Sequence, residues 1–214
     1  MTKRRLIILG PPAAGKGTYA ARLGSDLNVP HIATGDMLRY EVGAGTELGH
    51  RAKSFMDQGE LVPDEVVVRL AVRRLARPDA AGGWILDGFP RNLSQARGLD
   101  EELGGRSVDL VLALDVPMEE IIERVSGRRV CARGHVYHVK RDPPRRDGIC
   151  DEDGEALIQR EDDTEEVVRH RVEIYEHETH PLLELYDGRS LLRRVDGTGR
   201  LEQVYRRVVG MLQN

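Results

Sequence analysis

Near its start the chain reads Leu6-Ile7-Ile8-Leu9-Gly10-Pro11-Pro12-Ala13-Ala14-Gly15-Lys16-Gly17-Thr18, an apolar run followed at once by a glycine-rich turn with one lysine. The apolar run predicts a buried strand, and such a turn lets backbone N–H groups converge on an anion where the next helix begins. The spacing from Gly10 to Lys16 matches the phosphate-loop pattern G-x-x-x-x-G-K, although Gly17 stands before the hydroxyl of Thr18. The stretch predicts a phosphate-binding site rather than an ordinary strand-to-helix turn.

Ala13 is an unusual residue for such a turn, because a glycine would be expected at its position. An alanine held at positive φ costs on the order of 1 kcal/mol. We therefore expect the turn either to keep Ala13 at negative φ or to absorb that cost.

The composition is that of a globular protein with mixed charge. The 214 residues are 40% hydrophobic, which is enough for one large domain with small insertions, and the formal net charge is −4. Such a charge attracts neither nucleic acid nor a membrane surface. No apolar run approaches a membrane span or a signal peptide, and two cysteines do not make a secreted disulfide framework. We expect a monomer in the cytoplasm.

The apolar pattern alternates between strands and helices. Buried parallel strands are predicted near residues 6–9, 84–86, 110–114 and 191–195. Helical spacing predicts a helix from Asp64 to Ala76, with Asp64 as its N-cap, and another from about Thr164 that Pro181 disrupts. This order predicts an α/β fold with a parallel sheet flanked by helices.

Two stretches interrupt the alternation, residues 34–62 and residues 127–163, and we expect both to be small inserted lobes. The core domain would then consist of residues 1–33, 63–126 and 164–214. The second insertion is rich in Gly, Pro, Arg and Asp and poor in apolar residues, which predicts a subdomain built from turns. A lobe of that size buries little surface and tends to need a staple such as a metal.

The second insertion contains two short knuckles, Cys131-x-x-x-His135 and Cys150-x-x-Asp153. Two thiolates, one imidazole and one carboxylate can surround a tetrahedral Zn²⁺, so a structural zinc site is predicted. Three alternatives remain open at this point. The four groups can simply hydrogen-bond to one another, His138 can replace His135 as the ligand, or Cys131 and Cys150 can form a disulfide, which a reducing cytosol disfavours.

A third signal is Trp84-Ile85-Leu86-Asp87-Gly88-Phe89-Pro90-Arg91, where a predicted strand ends in a carboxylate before a turn. Ligands of open α/β sheets gather at the carboxyl ends of the strands, so Asp87 is expected to hold magnesium or its water shell beside phosphates. Arginines that flank turns or insertion boundaries are expected to contact a transferring phosphoryl group: Arg39, Arg91, Arg124, Arg128, Arg160 and Arg171.

Five motifs together resemble the adenylate kinase family in its long-lid bacterial form, over essentially the whole chain. They are Gly15-Lys16-Gly17-Thr18, Thr34-Gly35-Asp36-Met37-Leu38-Arg39, Leu86-Asp87-Gly88-Phe89-Pro90-Arg91, Gly127-Arg128-Arg129 and Arg160-Glu161-Asp162-Asp163. The resemblance implies the reaction ATP + AMP ⇌ 2 ADP, with magnesium on the triphosphate. It also implies a phosphate-loop nucleoside monophosphate kinase fold whose two insertions close over AMP (residues 34–62) and ATP (residues 127–163).

The resemblance further implies roles for individual residues. The ATP side would comprise Ala13, Ala14, Gly15, Lys16, Gly17, Thr18, Arg124, Arg128, Val136, Tyr137 and Gly199. The AMP side would comprise Thr34, Arg39, Glu60, Leu61, Val62, Gly88, Phe89, Pro90, Arg91, Gln95, Arg160 and Arg171, with Gln95 reading the adenine edge. Catalysis would fall to Lys16, Arg91, Arg128, Arg160 and Arg171, because phosphoryl transfer depends on positioning and charge stabilisation and needs no general base here.

The chain departs from the family pattern at Ala13 and in the first knuckle of the lid. Zinc-bearing lids of the family carry Cys-x-x-Cys there, so Cys131, Cys150 and Asp153 follow from the resemblance, whereas His135 is our substitution for the missing thiol. The alternative functions are a kinase for UMP or CMP, a regulator that senses ATP and AMP without turnover, and a zinc-dependent nucleic-acid module. The long lid and Gln95 disfavour the first, and the acidic chain disfavours the last.

Overall fold

The computed structural model describes residues 4–104, 108–160 and 162–212. Glu161 of the motif Arg160-Glu161-Asp162-Asp163 therefore lies outside the described residues. The strands of the described residues are β1 (Arg5–Leu9), β2 (His31–Ala33), β3 (Trp84–Asp87), β4 (Leu110–Asp115), β5 (Arg128–Val130), β6 (Val136–His138) and β7 (Leu192–Asp196). Five of them form a parallel sheet in the order β2-β3-β1-β4-β7, while β5 and β6 pair antiparallel in a separate hairpin.

Helices follow the strands of the sheet. They are α1 (Lys16–Leu27), α2 (Thr34–Gly43), α3 (Glu47–Gln58), α4 (Asp64–Leu75), α5 (Leu93–Leu103), α6 (Met118–Ser126), α7 (Glu165–Ile174), α8 (Pro181–Gly188) and α9 (Leu201–Leu212). A short 3-10 turn covers Pro78–Ala80, and a π-helical turn covers Tyr175–Thr179. Across the described parts of the chain, no helix has the length and apolar character to cross a bilayer.

The two faces of the sheet each carry a hydrophobic layer. Along β1, Ile7 and Leu9 face the layer that contains apolar residues of α4, α5 and α8, while Leu6 and Ile8 face the layer of α1 and α9. Successive side chains of a strand point to opposite faces, and a sheet covered on both sides buries every residue of its central strands. The expected α/β fold with a covered parallel sheet is therefore confirmed.

Four strands of the sheet agree with the apolar segments of the sequence, but β2 was not predicted. Its three residues offer a single fully buried apolar side chain, Ile32, between the half-buried His31 and Ala33. A strand this short is held by its pairing with β3 rather than by a hydrophobic run. The sequence pattern gives no signal for such an edge strand.

Two predictions about helix ends were wrong. Asp64 does not cap α4, which begins at Asp64 itself with Pro63 at the N-cap; its carboxylate instead accepts hydrogen bonds from Asn92 and Gln95. Pro181 does not end the helical stretch that starts after Thr164. It opens α8, where a residue without an N–H group is well suited, and the π-helical turn precedes it.

The two stretches predicted as insertions fold differently from each other. Residues 34–62 contain α2 and α3, and the Thr46 side chain caps α3 by accepting from the Gly49 N–H. Residues 127–160 contain the β5–β6 hairpin and a set of isolated bridges, among them Val130 with Ile158 and Ile149 with Ala156. The boundaries of the inserted lobes stay a prediction.

Candidate active site

The turn between β1 and α1 has a backbone that requires glycine at two positions. Gly10 lies at φ 151° and Gly15 at φ 90°. A Cβ atom at Gly10 would lie 3.0 Å from the Leu114 carbonyl oxygen, and one at Gly15 would lie 2.8 Å from Cε2 of Tyr19. The strand, the turn and the helix are therefore packed too closely for side chains at either glycine.

Ala13 lies in the same turn at φ 56°, so the backbone does not keep it at negative φ. The turn absorbs the cost through packing. The Ala13 methyl group contacts an apolar cluster beneath the turn, formed by Ile121, Val125, Val168 and Val172. A glycine at this position would relax the backbone but lose those contacts.

Lys16 begins α1 and folds back over the turn. Its Nζ donates to the carbonyl oxygens of Gly10 at 2.8 Å and Pro11 at 2.7 Å. Burial lowers the pKa of Lys16 to about 7 despite the attraction of Asp87, and the nearby Arg91 and Arg171 lower it further. The amine thus lies in a positively charged, desolvated place, where an anion would favour its protonated form.

Asp87 ends β3 beside the first turn of α1. A Cβ atom at Gly17 would lie 3.3 Å from its Oδ2, and Nε2 of His31 lies 3.2 Å from the same oxygen. A carboxylate oxygen is the hard ligand that magnesium prefers, either directly or through water. Its place against the phosphate loop fits a magnesium ion carried by a nucleotide.

Arg124 of α6 links the phosphate loop, which follows β1, to the turn that follows β7. Its guanidinium donates to the Ala14 carbonyl at 3.1 Å, to the Gly197 carbonyl at 2.6 Å and to Glu120 at 2.6 Å. These bonds fix the guanidinium beside the phosphate loop. In this arrangement Arg124 acts first as a brace between two turns.

Five arginines from separate elements form a connected group, and we refer to them as the arginine cluster: Arg39, Arg91, Arg128, Arg160 and Arg171. Three of them, Arg91, Arg128 and Arg171, lie close enough to Lys16 to lower its pKa. Burial lowers the pKa of Arg160 to about 10, and Arg39 and Arg128 lower it further. Burial also lowers the pKa of Arg171 to about 10, which Asp162 partly offsets. Like charges held this close, away from water, favour the binding of a polyanion.

Three carboxylates pair with the cluster within the described ranges. Asp163, with a side chain that is 0% exposed, accepts two hydrogen bonds from Arg128, one of them at 2.7 Å from Nε to Oδ2. Asp162 accepts from Arg171 at 2.8 Å. Asp36 accepts from Arg39 at 2.6 Å and lies 3.6 Å from Arg160. The five guanidinium groups outnumber these three carboxylates and the nearby Asp87, so the site keeps a positive surplus.

A cleft of about 510 Å³ opens on the side of α2 and α3. Apolar residues such as Leu38, Met56 and Val62 line it together with Arg39, Arg91 and Gln95. Thr34 begins α2 at its rim and donates to the Gly88 carbonyl at 3.0 Å. Apolar walls with a few fixed polar groups are typical of a site for a small organic molecule.

A second cleft of about 480 Å³ lies between that cleft and the phosphate loop. Four residues line both clefts: Gly59, Leu61, Arg91 and Arg171. Lys16 lines the second cleft as well. The two clefts therefore share a wall, and the cationic groups lie at their junction.

The two knuckles of the β5–β6 region meet in one cluster: Cys131, His135, Cys150 and Asp153. One ligand atom from each lies within 4.8 Å of the others. Nδ1 of His135 is 3.3 Å from Sγ of Cys131, 3.4 Å from Sγ of Cys150 and 3.0 Å from Oδ2 of Asp153. Both cysteines are buried free thiols, so the disulfide alternative was wrong for this structure. The cluster is a possible metal-binding group.

His138, the rival ligand, lies outside this cluster. Its Nδ1 accepts hydrogen bonds from the N–H groups of Lys140 and Arg141, both at 3.1 Å, and its Nε2 lies 3.3 Å from the Glu123 carbonyl oxygen. The ring occupies the space beside Gly127, where a Cβ atom would lie 2.3 Å from its Cε1. His135 is therefore the histidine that the structure brings to the two cysteines.

Comparison with known proteins adds a family assignment to this geometry. The adenylate kinase family model matches residues 8–191. The chain belongs to the adenylate kinase family. It is 47% identical to adenylate kinase of Streptomyces coelicolor over 98% of both chains, and 48% identical to adenylate kinase of Archaeoglobus fulgidus over 97% of both chains. Adenylate kinase of Oceanobacillus iheyensis is 47% identical over 97% of this chain and 98% of its own.

The remaining residues that the adenylate kinase resemblance named lie in several settings. Val136 is exposed on β6, and Oη of Tyr137 accepts from the Asp151 N–H at 2.8 Å. Gly199, at φ 103°, lies in the turn before α9. Phe89 is buried in the core, so only its backbone is available to the cleft. Glu60 follows α3 and contacts His170 of α7 at 2.7 Å.

Three polar residues of this adenylate kinase site were not identified from the sequence as groups that organise it. Asp36 precedes Arg39 by three residues on one helix, and that spacing could have indicated the pair. Asp64 and Asn92 join Gln95 in a hydrogen-bond network between α4 and α5. The bond between Asn92 and Gln95 is an N-cap bond three residues apart, which a capping rule could have indicated. No spacing rule connects Asp64 to these two residues, which lie about 30 positions further along the chain.

Proposed function

We propose that this chain transfers the γ-phosphoryl group of magnesium-bound ATP to AMP in the reversible reaction ATP + AMP ⇌ 2 ADP, with Lys16 and the arginine cluster stabilising the transferred group. The observation that carries the proposal is the shared wall of the two clefts, where Arg91 and Arg171 lie beside Lys16. Family membership supports the reaction itself. Two nucleotides bound on either side would meet with their phosphates at this cationic junction.

On the ATP side, residues 13–18 would wrap the phosphates with backbone N–H groups, and Lys16 would leave its carbonyl partners to contact phosphate oxygens. Arg124 and Arg128 would flank the triphosphate. Val136, Tyr137 and the backbone at Gly199 would contact the rest of the nucleotide. These assignments are supported by the positive surplus at the loop and by the braced position of Arg124.

On the AMP side, the cleft between α2, α3 and α5 would hold the base. Most of the residues expected there line this cleft: Thr34, Arg39, Glu60, Leu61, Val62, Arg91, Gln95 and Arg171. Gly88 lines the second cleft. Phe89 and Pro90 would shape the turn that presents Arg91, and Arg160 would contact the phosphates. The apolar wall and the buried amide of Gln95 support a base-binding role.

The chemistry needs little more than positioning and charge. Phosphoryl transfer between oxygens is accelerated by holding donor and acceptor in line and by neutralising the charge of the transferred group. Lys16, Arg91, Arg128, Arg160 and Arg171 would supply that neutralisation from fixed positions. Magnesium, when bound with ATP, supplies further charge neutralisation, and Asp87 would hold it through water. Closure of both lobes would keep water from the γ-phosphoryl group.

A coupled assay of ADP formation from ATP and AMP tests the proposal. We expect Lys16→Ala to reduce kcat at least about a hundredfold, since a single charge partner of the transition state contributes on that scale. Lys140→Ala is the matched control, because it removes an exposed lysine of the β6 loop. Equal activity of wild type and Lys16→Ala, or no ADP from the wild type with AMP while UMP or CMP is phosphorylated, would contradict the proposal.

The cluster of Cys131, His135, Cys150 and Asp153 is proposed to hold a structural zinc ion. Bond lengths of about 2.0–2.3 Å in a tetrahedral site put neighbouring ligand atoms ~3.3–3.8 Å apart. The separations of 3.0 to 3.4 Å around His135 need only a slight expansion to reach that range. Zinc would join the two knuckles of a lobe that has little hydrophobic core of its own.

Metal analysis of purified protein tests the zinc proposal. We expect one zinc per chain in the wild type and in His138→Ala, and its loss in His135→Ala. Chelation should make residues 127–160 more sensitive to protease without affecting the core. A wild type without stoichiometric zinc, or a His138→Ala protein that loses the metal while His135→Ala retains it, would exclude this ligand set.

The domain boundaries at residues 33–34, 62–63, 126–127 and 163–164, the monomeric state and the cytoplasmic location stay predictions. The fold of α2 and α3 as a pair, and of β5 and β6 as a hairpin, supports the first. The buried free thiols of Cys131 and Cys150 are compatible with a reducing compartment.

A further inference from the structure

We propose that Asp64 is a positioning residue that sets the base specificity of the monophosphate site, by fixing the amide of Gln95 in the one orientation that recognises a 6-amino purine. The inference rests on the proposed function, in which Gln95 faces the base of the acceptor nucleotide. Asp64 itself does not touch the nucleotide. It acts through Gln95, to which it is hydrogen-bonded.

The Gln95 amide is held on two sides. Its Nε2 donates to Oδ1 of Asp64 at 2.8 Å, and its Oε1 accepts from the Arg91 N–H at 2.8 Å. Asn92 reinforces the arrangement, because its Nδ2 donates to the same Oδ1 at 2.9 Å and its side-chain oxygen accepts from the Gln95 N–H at 2.8 Å. Gln95 is only 1% exposed, so water does not compete for these bonds.

This network excludes the flipped amide. After a flip, the Gln95 oxygen would face the Asp64 carboxylate, which has no proton to donate, and the Gln95 NH₂ group would face the Arg91 N–H. Both hydrogen bonds would be lost, and one acceptor–acceptor pair and one donor–donor pair would replace them. Polar groups without hydrogen-bond partners are costly at a buried site. Asp64 and the Arg91 backbone together therefore select one orientation.

The fixed orientation leaves a defined pattern for a ligand. A glutamine amide has two N–H donors and two acceptor lone pairs, and one of each is used by Asp64 and Arg91. Because Gln95 lines the cleft, its remaining N–H and lone pair are available to a ligand. The N–H can donate to N1 of adenine, and the lone pair can accept from the 6-amino group. A 6-oxo purine, with an N1–H donor and an O6 acceptor, requires the flipped amide.

The side chain at position 64 therefore supplies one of the two constraints against the flip. An asparagine there can accept from Gln95 through its oxygen or donate to it through its nitrogen, so the flip no longer creates an acceptor–acceptor pair and only the Arg91 N–H opposes it. An alanine removes the partner altogether. Either change should relax the choice between 6-amino and 6-oxo purine monophosphates, even though no atom in contact with the base has changed.

The experiment measures kcat/KM with AMP and with inosine monophosphate, which differs in the 6-oxo group and N1–H, for the wild type, Asp64→Asn and Asp64→Ala. We expect the ratio of AMP to inosine monophosphate to fall at least about tenfold in both variants, the effect of one buried hydrogen bond. Asp79→Asn is the control, because it removes an exposed carboxylate that pairs with Arg74. Its ratio should equal that of the wild type.

A merely structural role would lower kcat/KM for both substrates together and leave the ratio unchanged. A wild-type ratio in whichever Asp64 variant folds overturns the inference. In a Gln95→Ala background the Asp64→Asn change should no longer alter the ratio, and an undiminished effect there would also overturn it. If the wild type fails to phosphorylate AMP at all, the proposed function fails, which is distinguishable from a functional kinase whose Asp64 variants keep the preference.

Discussion

Lys16 illustrates how much a single residue depends on what surrounds it. Its amine is bonded to two carbonyl groups of its own loop, and burial lowers its pKa to about 7, from an ordinary value of about 10.4. At a pH between those two pKa values, a solvated lysine is protonated, whereas Lys16 of the folded, nucleotide-free protein is mostly unprotonated. A bound polyphosphate would reverse the shift, since a nearby anion favours the charged amine.

We therefore predict that ATP binding takes up a proton at pH 8, close to one per site. Calorimetric titrations in two buffers with different ionisation enthalpies measure this uptake. Lys16→Arg is the matched control, because a guanidinium stays protonated in both states. The prediction is wrong if the wild type binds ATP without proton exchange, or if Lys16→Arg shows the same uptake.

Sequence reasoning at this scale succeeded where the backbone itself imposes a residue type. The spacing of Gly10 and Gly15 predicted a turn that needs glycine at these positions, and both residues lie at positive φ; the role of Lys16 stays a prediction. Ala13 could only be described as a choice between two outcomes, because its compensating contacts come from α6 and α7. Asp64 was misread as a cap for the same reason, since its partners lie in α5.

Among the elements, α3 and α7 are joined by a contact that depends on pH. His170 of α7 lies 2.7 Å from Glu60, which follows α3, and 3.7 Å from Glu173 one turn further along α7. The hydrogen bond with Glu60 raises the pKa of His170 above its ordinary value. Glu60 also lines the cleft assigned to AMP, so this contact links the wall of the cleft to the core.

The sign of the shift fixes the pH dependence. Because the folded state binds the His170 proton more tightly, the contact contributes fully below pH about 6.5 and is lost as the pH rises through the raised pKa. We predict that the difference in Tm between the wild type and His170→Gln is larger at pH 5.5 than at pH 9. His50→Gln, an exposed histidine of α3, is the control. A difference that is the same at both pH values would contradict the prediction.

The elements themselves were predictable in proportion to their hydrophobic pattern. The runs that became β1, β3 and β4 are buried on both faces, so their apolar residues are continuous in the sequence. The edge strand β7 places the buried Leu192 and Val195 on either side of two more exposed arginines, so its pattern is weaker. The edge strand β2 and the π-helical turn before Pro181 have no such run. Both are set by neighbours in space, which a local pattern does not report.

At the scale of the whole molecule, the arginine cluster joins segments that are far apart in the chain. Arg39 comes from α2, Arg91 from the turn after β3, Arg128 from β5 and Arg171 from α7. Asp163 is the most buried of the carboxylates that pair with them. Removing one partner of a buried ion pair leaves an uncompensated charge and costs about 3–5 kcal/mol.

We predict that Asp163→Asn lowers the Tm of the nucleotide-free protein by about 10 °C, the shift expected for such a loss in a chain of this size. A saturating bisubstrate compound, two adenosines joined by five phosphates, should reduce the difference in Tm between the wild type and Asp163→Asn, because its phosphates neutralise Arg128. Thermal unfolding with and without the compound measures both effects. Asp79→Asn is the control at an exposed pair. A gap that the compound leaves unchanged or widens would contradict this account.

The sequence predicted the two insertions from breaks in the strand-helix alternation, but not how they meet. The contact of Arg160 with Asp36 joins the two stretches predicted as insertions, and the packing of Gly59 against Arg171 joins the end of α3 to α7. Such contacts form only when folding brings together segments that are far apart in the sequence. Composition and spacing carry no information about them.

The wall common to both clefts has a thermodynamic consequence. An anion bound against Arg91 and Arg171 in one cleft makes the electrostatic potential in the other cleft less positive. Binding in one cleft therefore changes the affinity of the other. By thermodynamic linkage, the factor by which one bound nucleotide changes the dissociation constant of the second equals the factor by which the second changes that of the first. Equilibrium titrations begun from either nucleotide must yield the same coupling constant.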